Sequence, residues 1–240
     1  MKQIVCLSTS TWYPIPTRKQ QVMSRLKDAE VLYFDPPVTW IAPLRDPNAK
    51  PKLKAYRAAG ERVRGHVTAY ALPPVWPFFN KYRAVNRRNQ KKTAAYVKKR
   101  MAEAGFDRPV LWCYSPVSAD AVDRIPHSAL VYDCVDRHSA YGGLMNPVLV
   151  DEMELELARK ADMVFATAEG LAERLRTVNP RAMFLPNGAN YELFQQAAEP
   201  GDVPEDMQGI TGPIFGFVGA LQECIEYGFV ASVAKARPEW

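Results

Sequence analysis

Short apolar runs alternate with helix-like segments along most of this chain, and that alternation restricts the fold more than any other feature. Most runs are only four or five residues long, and apolar residues in the segments between them recur at helical spacing. Buried strands separated by helices pair in parallel, because each crossover helix returns the chain to the same edge of the sheet. We therefore predict an α/β fold, a Rossmann-like parallel sheet with helices on both faces. The expected strands are 4–7, 31–34, 66–72, 110–113, 129–133, 163–166 and 182–185, and the expected helices are 19–27, 79–104, 118–124, 148–160 and 169–177.

The pattern changes after Asn187, where a polar stretch with two prolines and several acids precedes a fresh apolar run at 214–218. The run is followed by a helix-like segment at 225–236. This order predicts three parts: a Rossmann-like domain over residues 1–200, a linker over 201–212, and the first strand and helix of a second Rossmann-like domain over 213–240.

Charge is divided unequally between the two halves of the chain. Residues 1–110 contain 22 Lys and Arg against 7 Asp and Glu, whereas residues 111–240 contain 9 against 19. From Arg62 to Ala102 there is no acid, but there are eleven Lys or Arg and several aromatic residues. Such a segment suits anionic lipid headgroups or nucleic-acid phosphates, and a solvated helix face is the plain alternative.

The amino-terminal residues MKQIVCLSTSTWYP carry one lysine and a short apolar run, which is typical of a first strand rather than a signal peptide. No window approaches the roughly 20 apolar residues that a membrane-spanning helix needs. We therefore expect a cytoplasmic protein, and the basic segment adds the expectation of peripheral contact with the inner face of the plasma membrane.

Polar residues follow several expected strands, at the edge of a parallel sheet where ligands bind. In the stretch LVYDCVDRHSAYGG, two carboxylates and an imidazole come directly after an apolar run, at Asp133, Asp136 and His138. Arg18 and Lys19 stand where the first helix should begin. Cations are unfavourable at a helix amino terminus unless an anion approaches, so this placement indicates contact with a ligand, and a solvated first turn is the alternative.

Five stretches of the chain resemble bacterial glycosyltransferases of the GT-B architecture, which have two facing Rossmann-like domains. The stretches are TWYPIPTRKQQVMSRL, VLYFDPP, LWCYSP, VYDCVDRHSAY, and the run from ARKADMVFATAEGLAERL to FLPNGANYELF. GPIFGFVGAL is similar to the start of the family's second domain. The resemblance implies the acceptor-binding half of a nucleotide-sugar-dependent enzyme, so transfer by this chain alone is not expected.

The resemblance, together with the residue types, yields a set of candidate site residues. Asp136 is the first choice for accepting the proton of the acceptor hydroxyl, while Asp133 and His138 are the other catalytic candidates. Capping of a loop or helix is the alternative role for both carboxylates. The expected acceptor-binding residues are Trp12, Arg18, Lys19, Tyr114 and Ser115, and the expected donor-binding residues are Gly219 and Ala220.

The remaining expectations concern membranes, cofactors and partners. The first β-α turn lacks the glycines of a dinucleotide site, and the histidines have no metal-ligand spacing with the cysteines, so we expect no cofactor and no metal. The expected partners are a saccharide or lipid-linked acceptor and an anionic membrane, not nucleic acid. The alternatives are a catalytically silent binding domain or a split enzyme whose donor domain is a separate chain. The expected membrane-contacting residues are Trp76, Phe78, Phe79, Arg87, Arg88, Lys91 and Lys92.

Overall fold

The computed structural model describes residues 1–196, 198–199, 201–210, 212–219 and 225–238, and its main element is an eight-stranded sheet. The strands are β1 (Lys2–Leu7), β2 (Ala29–Asp35), β3 (Glu61–Arg64), β4 (Val67–Ala71), β5 (Val110–Cys113), β6 (Ala129–Cys134), β7 (Met163–Ala166) and β8 (Ala182–Phe184). Their order across the sheet is β3-β4-β2-β1-β5-β6-β7-β8. Every neighbouring pair is parallel except β3 and β4, which are antiparallel.

Helices connect the strands in the way that parallel pairing requires. Those of the described residues are α1 (Arg18–Met23), α2 (Lys52–Ala55), α3 (Arg83–Glu103), α4 (Pro147–Lys160), α5 (Glu169–Arg176), α6 (Tyr191–Gln196) and α7 (Tyr227–Ala236). Between β5 and β6 the connection consists of two short 3₁₀ turns, Pro116–Asp120 and Val122–Arg124.

Two hydrophobic cores lie on opposite faces of the sheet. Alternate residues of β1 show the division, since Val5 and Leu7 belong to one core, and Ile4 and Cys6 belong to the other. The larger core also contains buried residues of α3, α4 and α5, whereas the smaller one is closed by Met23 of α1 and by the loop that precedes it. The predicted fold class, a mostly parallel α/β sheet covered on both faces, is therefore confirmed.

Three local predictions were wrong. The strand β3 was not expected, because its sequence ERVR is polar and its side chains are largely exposed at the sheet edge. The helix expected at 118–124 is replaced by the two 3₁₀ turns. The strand expected at 214–218 is not formed, and its apolar side chains are exposed, because the described part of its unit offers no strand for it to pair with.

The chain divides into two compact units, Met1–Asn187 and Gly188–Trp240. The first contains the whole sheet and both cores. In the second, the described elements are α6, α7 and a 3₁₀ turn at Glu205–Met207, and none of their residues is buried. Among the described residues, no helix is both long and apolar enough to cross a lipid bilayer.

Strand register aligns the ends of the three central strands. Leu7 at the end of β1 is opposite Cys113 at the end of β5, and Cys113 is opposite Tyr132 of β6. The residues that follow, Tyr114 and Asp133 among them, therefore lie side by side at the carboxyl edge of the sheet. The catalytic and acceptor-binding predictions made for the first unit depend on this edge.

Candidate functional site

Arg18 and Asp133 form a buried ion pair at the carboxyl edge. The Nε of Arg18 donates to both carboxylate oxygens of Asp133, at 3.1 and 3.2 Å. Asp133 is fully buried, and the Arg18 side chain is only 10% exposed. The Nη1 of the same guanidinium donates to the backbone oxygen of Pro186 at 3.2 Å and to Oδ1 of Asn187 at 3.3 Å. Arg18 thus connects the first β-α loop to the end of β6 and to the segment after β8.

This pair explains why a cation stands at the start of α1. The anion beside Arg18 is the carboxylate of Asp133, and contact of Arg18 with the acceptor stays a prediction. Burial raises the pKa of Asp133, and the hydrogen bonds and charge of Arg18 partly offset that rise. Asp133 has no exposed surface and is held by Arg18, and its catalytic role stays a prediction.

Two further polar groups surround this carboxylate. The Tyr114 hydroxyl and the Trp112 indole N–H both favour the charged form of Asp133, although neither meets hydrogen-bond geometry. Both atoms are buried and have no hydrogen-bond partner among the described residues, and the same is true of Nη2 of Arg18. Burial raises the pKa of Tyr114, which keeps this phenol neutral.

Lys19 lies beside this group and closer to solvent. Its Nζ is 5.8 Å from the centre of the Tyr114 ring. Burial lowers the pKa of Lys19, while Asp136 and Asp133 counter that effect. Lys19 therefore lies near Asp133 at the end of β6 and Asp136 in the loop after it, and its contact with an acceptor stays a prediction.

A partly enclosed cavity opens at the same edge of the sheet, with a volume of about 240 Å³. Its wall is mostly apolar, with a few hydroxyl and amide groups, as is usual for small-molecule sites. The residues that supply the polar groups are Ser8, Thr9, Asn80, Asn89, Gln90, Thr93, Ser115, Ser118, His138 and Tyr141.

His138 is the one histidine that lines this cavity. It begins a 3₁₀ turn, His138–Ala140, and its ring packs edge-on against Tyr141 with 5.9 Å between ring centres. Its Nε2 is buried and has no hydrogen-bond partner among the described residues. Burial lowers the pKa of His138 below its usual value, and Glu154, Asp136 and a backbone hydrogen bond with Tyr114 counter this only in part. The imidazole is therefore mainly neutral at pH 7 and can accept a proton.

Asp136, the first choice for the proton acceptor, lies at the rim instead. It is exposed, does not line the cavity, and accepts a hydrogen bond of 2.8 Å from the Tyr141 hydroxyl. Burial, with a smaller effect of Asp136, raises the pKa of Tyr141 to about 12. The geometry favours His138 over Asp136, and the role of Asp136 stays a prediction.

The loop that carries these two residues is held by several contacts. Thr167 Oγ1 donates to the Val135 oxygen at 2.7 Å, and Arg137 pairs with Asp151 at 3.4 Å. Beneath the loop, the buried carboxylate of Glu154 accepts from the Tyr132 hydroxyl at 2.6 Å and pairs with Arg174. These contacts fix the direction of the chain after β6.

The remaining predicted residues are spread over several positions. Ser115 lines the cavity. Trp12 is only 8% exposed and packs edge-on against Tyr33, so it supports the loop, and its contact with an acceptor stays a prediction. Gly219 lies in the second unit, and Ala220 lies outside the described residues.

Of the expected membrane-contacting residues, Phe79 is half-buried and lines the cavity. The others are exposed: Trp76, Phe78, Arg87, Arg88, Lys91 and Lys92.

Sequence reasoning missed the contribution of α3 to the cavity. Asn86, Asn89, Gln90 and Thr93 are all buried, and the last three line the cavity wall. Uncharged polar residues thus occupy the i, i+3, i+4, i+7 positions that apolar residues hold in an ordinary amphipathic helix. This spacing of polar residues was the sequence signal that could have identified the cavity-lining face of α3.

Comparison with known proteins supports the resemblance. No family model matches the chain. A proposed teichuronic acid biosynthesis glycosyltransferase of Bacillus subtilis, TuaH, is 23% identical over 150 residues, which are 58% of this chain and 38% of that protein. The chain therefore spans well under half the length of this curated relative.

Among solved structures, the chain is similar to trehalose-6-phosphate synthases. An apo structure of OtsA superposes with a TM-score of 0.53 at 12% identity, over 88% of this chain and 54% of that one. The Escherichia coli structure with UDP-2-fluoro glucose gives a TM-score of 0.50 at 13% identity, over 83% and 52%. These likenesses show the fold, and they again span about half of the larger chains. The resemblance to GT-B glycosyltransferases is thus confirmed by a matching fold and by one distant relative that carries a glycosyltransferase name.

Proposed function

We propose that this chain is the acceptor-binding part of a GT-B glycosyltransferase, which transfers a sugar from a nucleotide-sugar donor to a saccharide or lipid-linked acceptor in cell-surface polysaccharide synthesis. The name of TuaH supports the reaction class and the polysaccharide setting. The likeness to about half of each trehalose-6-phosphate synthase chain supports a role for only one of two domains.

The observation that carries the proposal is the cavity at the carboxyl edge of the sheet, with a neutral imidazole in its wall. At about 240 Å³ it is slightly smaller than typical small-molecule sites of roughly 300–1,000 Å³, and it suits a single sugar unit. Hydroxyl and amide groups from Ser115, Asn89 and Thr93 are suited to hydrogen bonding with sugar hydroxyls.

In the proposed reaction, His138 accepts the proton of the acceptor hydroxyl. The O–H bond breaks, its electron pair forms the new bond from oxygen to the anomeric carbon, and the nucleoside diphosphate leaves with the electrons of the old glycosidic bond. The low pKa of His138 serves this role, because a base must be unprotonated at the start of the step. Lys19 lies near the same edge and is suited to holding a negatively charged part of the acceptor.

Saturation-transfer NMR and calorimetry with a panel of simple sugars, sugar phosphates and lipid-linked sugars test the proposal. We expect at least one saccharide to bind, and His138→Ala to weaken that binding about tenfold, as expected for one lost hydrogen bond. His127→Ala is the matched control, because His127 precedes β6 and therefore lies at the opposite edge of the sheet. No binding by any saccharide, or equal binding by the two variants, would contradict the proposal. So would tight binding of nucleotide sugars without any acceptor.

A further inference from the structure

Helix α3 carries a stripe of cations on its exposed face. Exposed residues recur at three- and four-residue intervals along the helix, so they lie on one side. Apart from three alanines and Glu103 at the carboxyl end, these positions are all basic: Arg87, Arg88, Lys91, Lys92, Lys98 and Lys99.

Acids neutralise some cations of this helix and leave others free. Arg83 is paired with Asp120 and Glu156, and Arg87 lies 3.8 Å from Asp120. Arg88 and Lys91, in contrast, pair with no acid within the described parts of the chain. Of the exposed cations without an acidic partner in the described chain, Arg88, Lys91 and Lys92 lie in the amino-terminal half of α3, and Lys98 lies in the other half.

Exposed aromatic side chains adjoin this half of the helix. Trp76, Phe78 and Tyr82 are 53%, 44% and 53% exposed. Together with Pro77, Ala84, Val85 and Arg88, the first two line a shallow apolar groove. We call Trp76, Phe78, Tyr82, Arg88 and Lys91 the aromatic-basic surface.

The structure holds these aromatic residues outward. The buried amide of Asn89 accepts from the Trp76 backbone N–H at 3.0 Å and donates to the Trp76 backbone oxygen at 2.9 Å. Phe78 has a φ of 64°, a conformation that costs a bulky residue energy. The backbone N–H groups of Lys81 and Tyr82 both donate to the Phe78 oxygen and fix this turn. Hydrogen bonds and a strained backbone thus hold the Trp76 and Phe78 side chains in exposed positions.

The same segment reaches the cavity. Phe79 and Asn80, which directly follow the exposed Phe78, line the cavity wall, and Asn89 both lines the cavity and anchors Trp76. The aromatic-basic surface therefore lies at the margin of the proposed acceptor site.

We propose that the aromatic-basic surface docks on an anionic lipid bilayer. Cations contact the lipid phosphates, while Trp76, Phe78 and Tyr82 enter the interface between headgroups and acyl chains, where aromatic residues are favoured. The apolar groove between them is suited to hydrocarbon and offers little to the polar edges of nucleic-acid bases. If the proposed function also holds, docking places the cavity at headgroup depth, and the acceptor is a sugar attached to a membrane lipid.

Co-sedimentation with phosphatidylcholine vesicles that contain phosphatidylglycerol tests docking without any sugar. We expect binding at low salt, loss of binding at high salt, and none to vesicles of phosphatidylcholine alone. Arg88→Gln with Lys91→Gln should weaken binding about 30-fold, from roughly 1 kcal/mol for each cation near an anionic surface. The matched control is Lys2→Gln with Lys27→Gln, which removes equal charge at the amino-terminal edge of the sheet and should bind normally.

Phe78→Gly is the second variant, chosen so that loss of folding does not obscure the result. Glycine adopts a positive φ without strain, so the fold should be retained while the ring is lost. We expect about tenfold weaker vesicle binding with an unchanged melting temperature or a higher one.

Absence of anionic-vesicle binding, an equal loss in the control variant, or tighter binding to a short DNA duplex would each overturn the proposal. Vesicle binding without saccharide binding would uphold docking and refute only the proposed function.

Discussion

Replacing Arg18 by methionine should make the stability of the protein strongly dependent on pH. The substitution removes the cation that pairs with Asp133 but keeps an unbranched side chain of similar length. Asp133 is fully buried, so it must either remain charged without its partner or take up a proton on folding. Taking up a proton costs less free energy than keeping an unpaired charge buried, and this cost follows from the pH and the pKa of the unfolded chain.

The calculation uses the ordinary carboxyl pKa of 3.8 for the unfolded chain. Each pH unit above that value costs about 1.36 kcal/mol to protonate the group. The cost is therefore about 4 kcal/mol at pH 7 and about 1 kcal/mol at pH 4.5. In the variant, the pKa of folded Asp133 lies further above 3.8. A carboxyl whose pKa is raised by folding favours the folded state when protonated, so stability is kept at low pH and lost as pH rises through the raised pKa.

Urea denaturation followed by tryptophan fluorescence, at pH 7 and pH 4.5, measures the two free energies of unfolding. We expect Arg18→Met to be destabilised relative to the wild type more at pH 7 than at pH 4.5, by up to about 3 kcal/mol, because the raised pKa of Asp133 already gives the wild type a smaller dependence of the same sign. The double variant Arg18→Met with Asp133→Asn should lose this pH dependence. An equal destabilisation at both pH values would show that Asp133 stays ionised without Arg18, and the reasoning would be refuted.

Three further predictions follow from the same geometry. Because burial lowers the pKa of His138, saccharide binding should stay constant as pH falls to 6.5 and should decline only below it; a calorimetric decline centred above 6.5 would contradict the neutral imidazole. Asn89→Ala should lower the free energy of unfolding by about 1–3 kcal/mol, because both Trp76 backbone groups lose their partner, and a loss below 0.5 kcal/mol in urea would show that water replaces the amide. Glu154→Ala should cost about 1–3 kcal/mol by leaving the buried Tyr132 hydroxyl without its acceptor, while Arg174 keeps its pair with Asp151; thermal unfolding at the wild-type temperature would refute a structural role.

The strands that are buried on both faces could be predicted, because burial requires apolar residues. The strands of the sheet interior, such as β1 and β6, are short apolar runs because both faces are covered by helices. β3 was missed because an edge strand can be polar. The run at 214–218 was misassigned because an apolar composition alone does not supply a neighbouring strand for hydrogen bonding.

For the candidate site, the sequence could predict only the location at the carboxyl edge of the sheet and not the role of each residue. Placing Asp133 and Arg18 at one edge followed from parallel pairing, and the distance of 3.1 Å between their side chains confirms it. Their different roles depend on which side chain is buried and which lines the cavity. Those properties arise from contacts between residues far apart in sequence, as with Asn89 of α3, so no local pattern reveals them.

The central claim is that the cavity beside His138 receives the acceptor sugar. The most direct test is a crystal structure of the protein with the saccharide that binds most tightly in solution. The account predicts a sugar hydroxyl within hydrogen-bond distance of His138 Nε2. Density for the sugar elsewhere, for example in the surface groove formed by Trp12, Pro14 and Arg64, would contradict it.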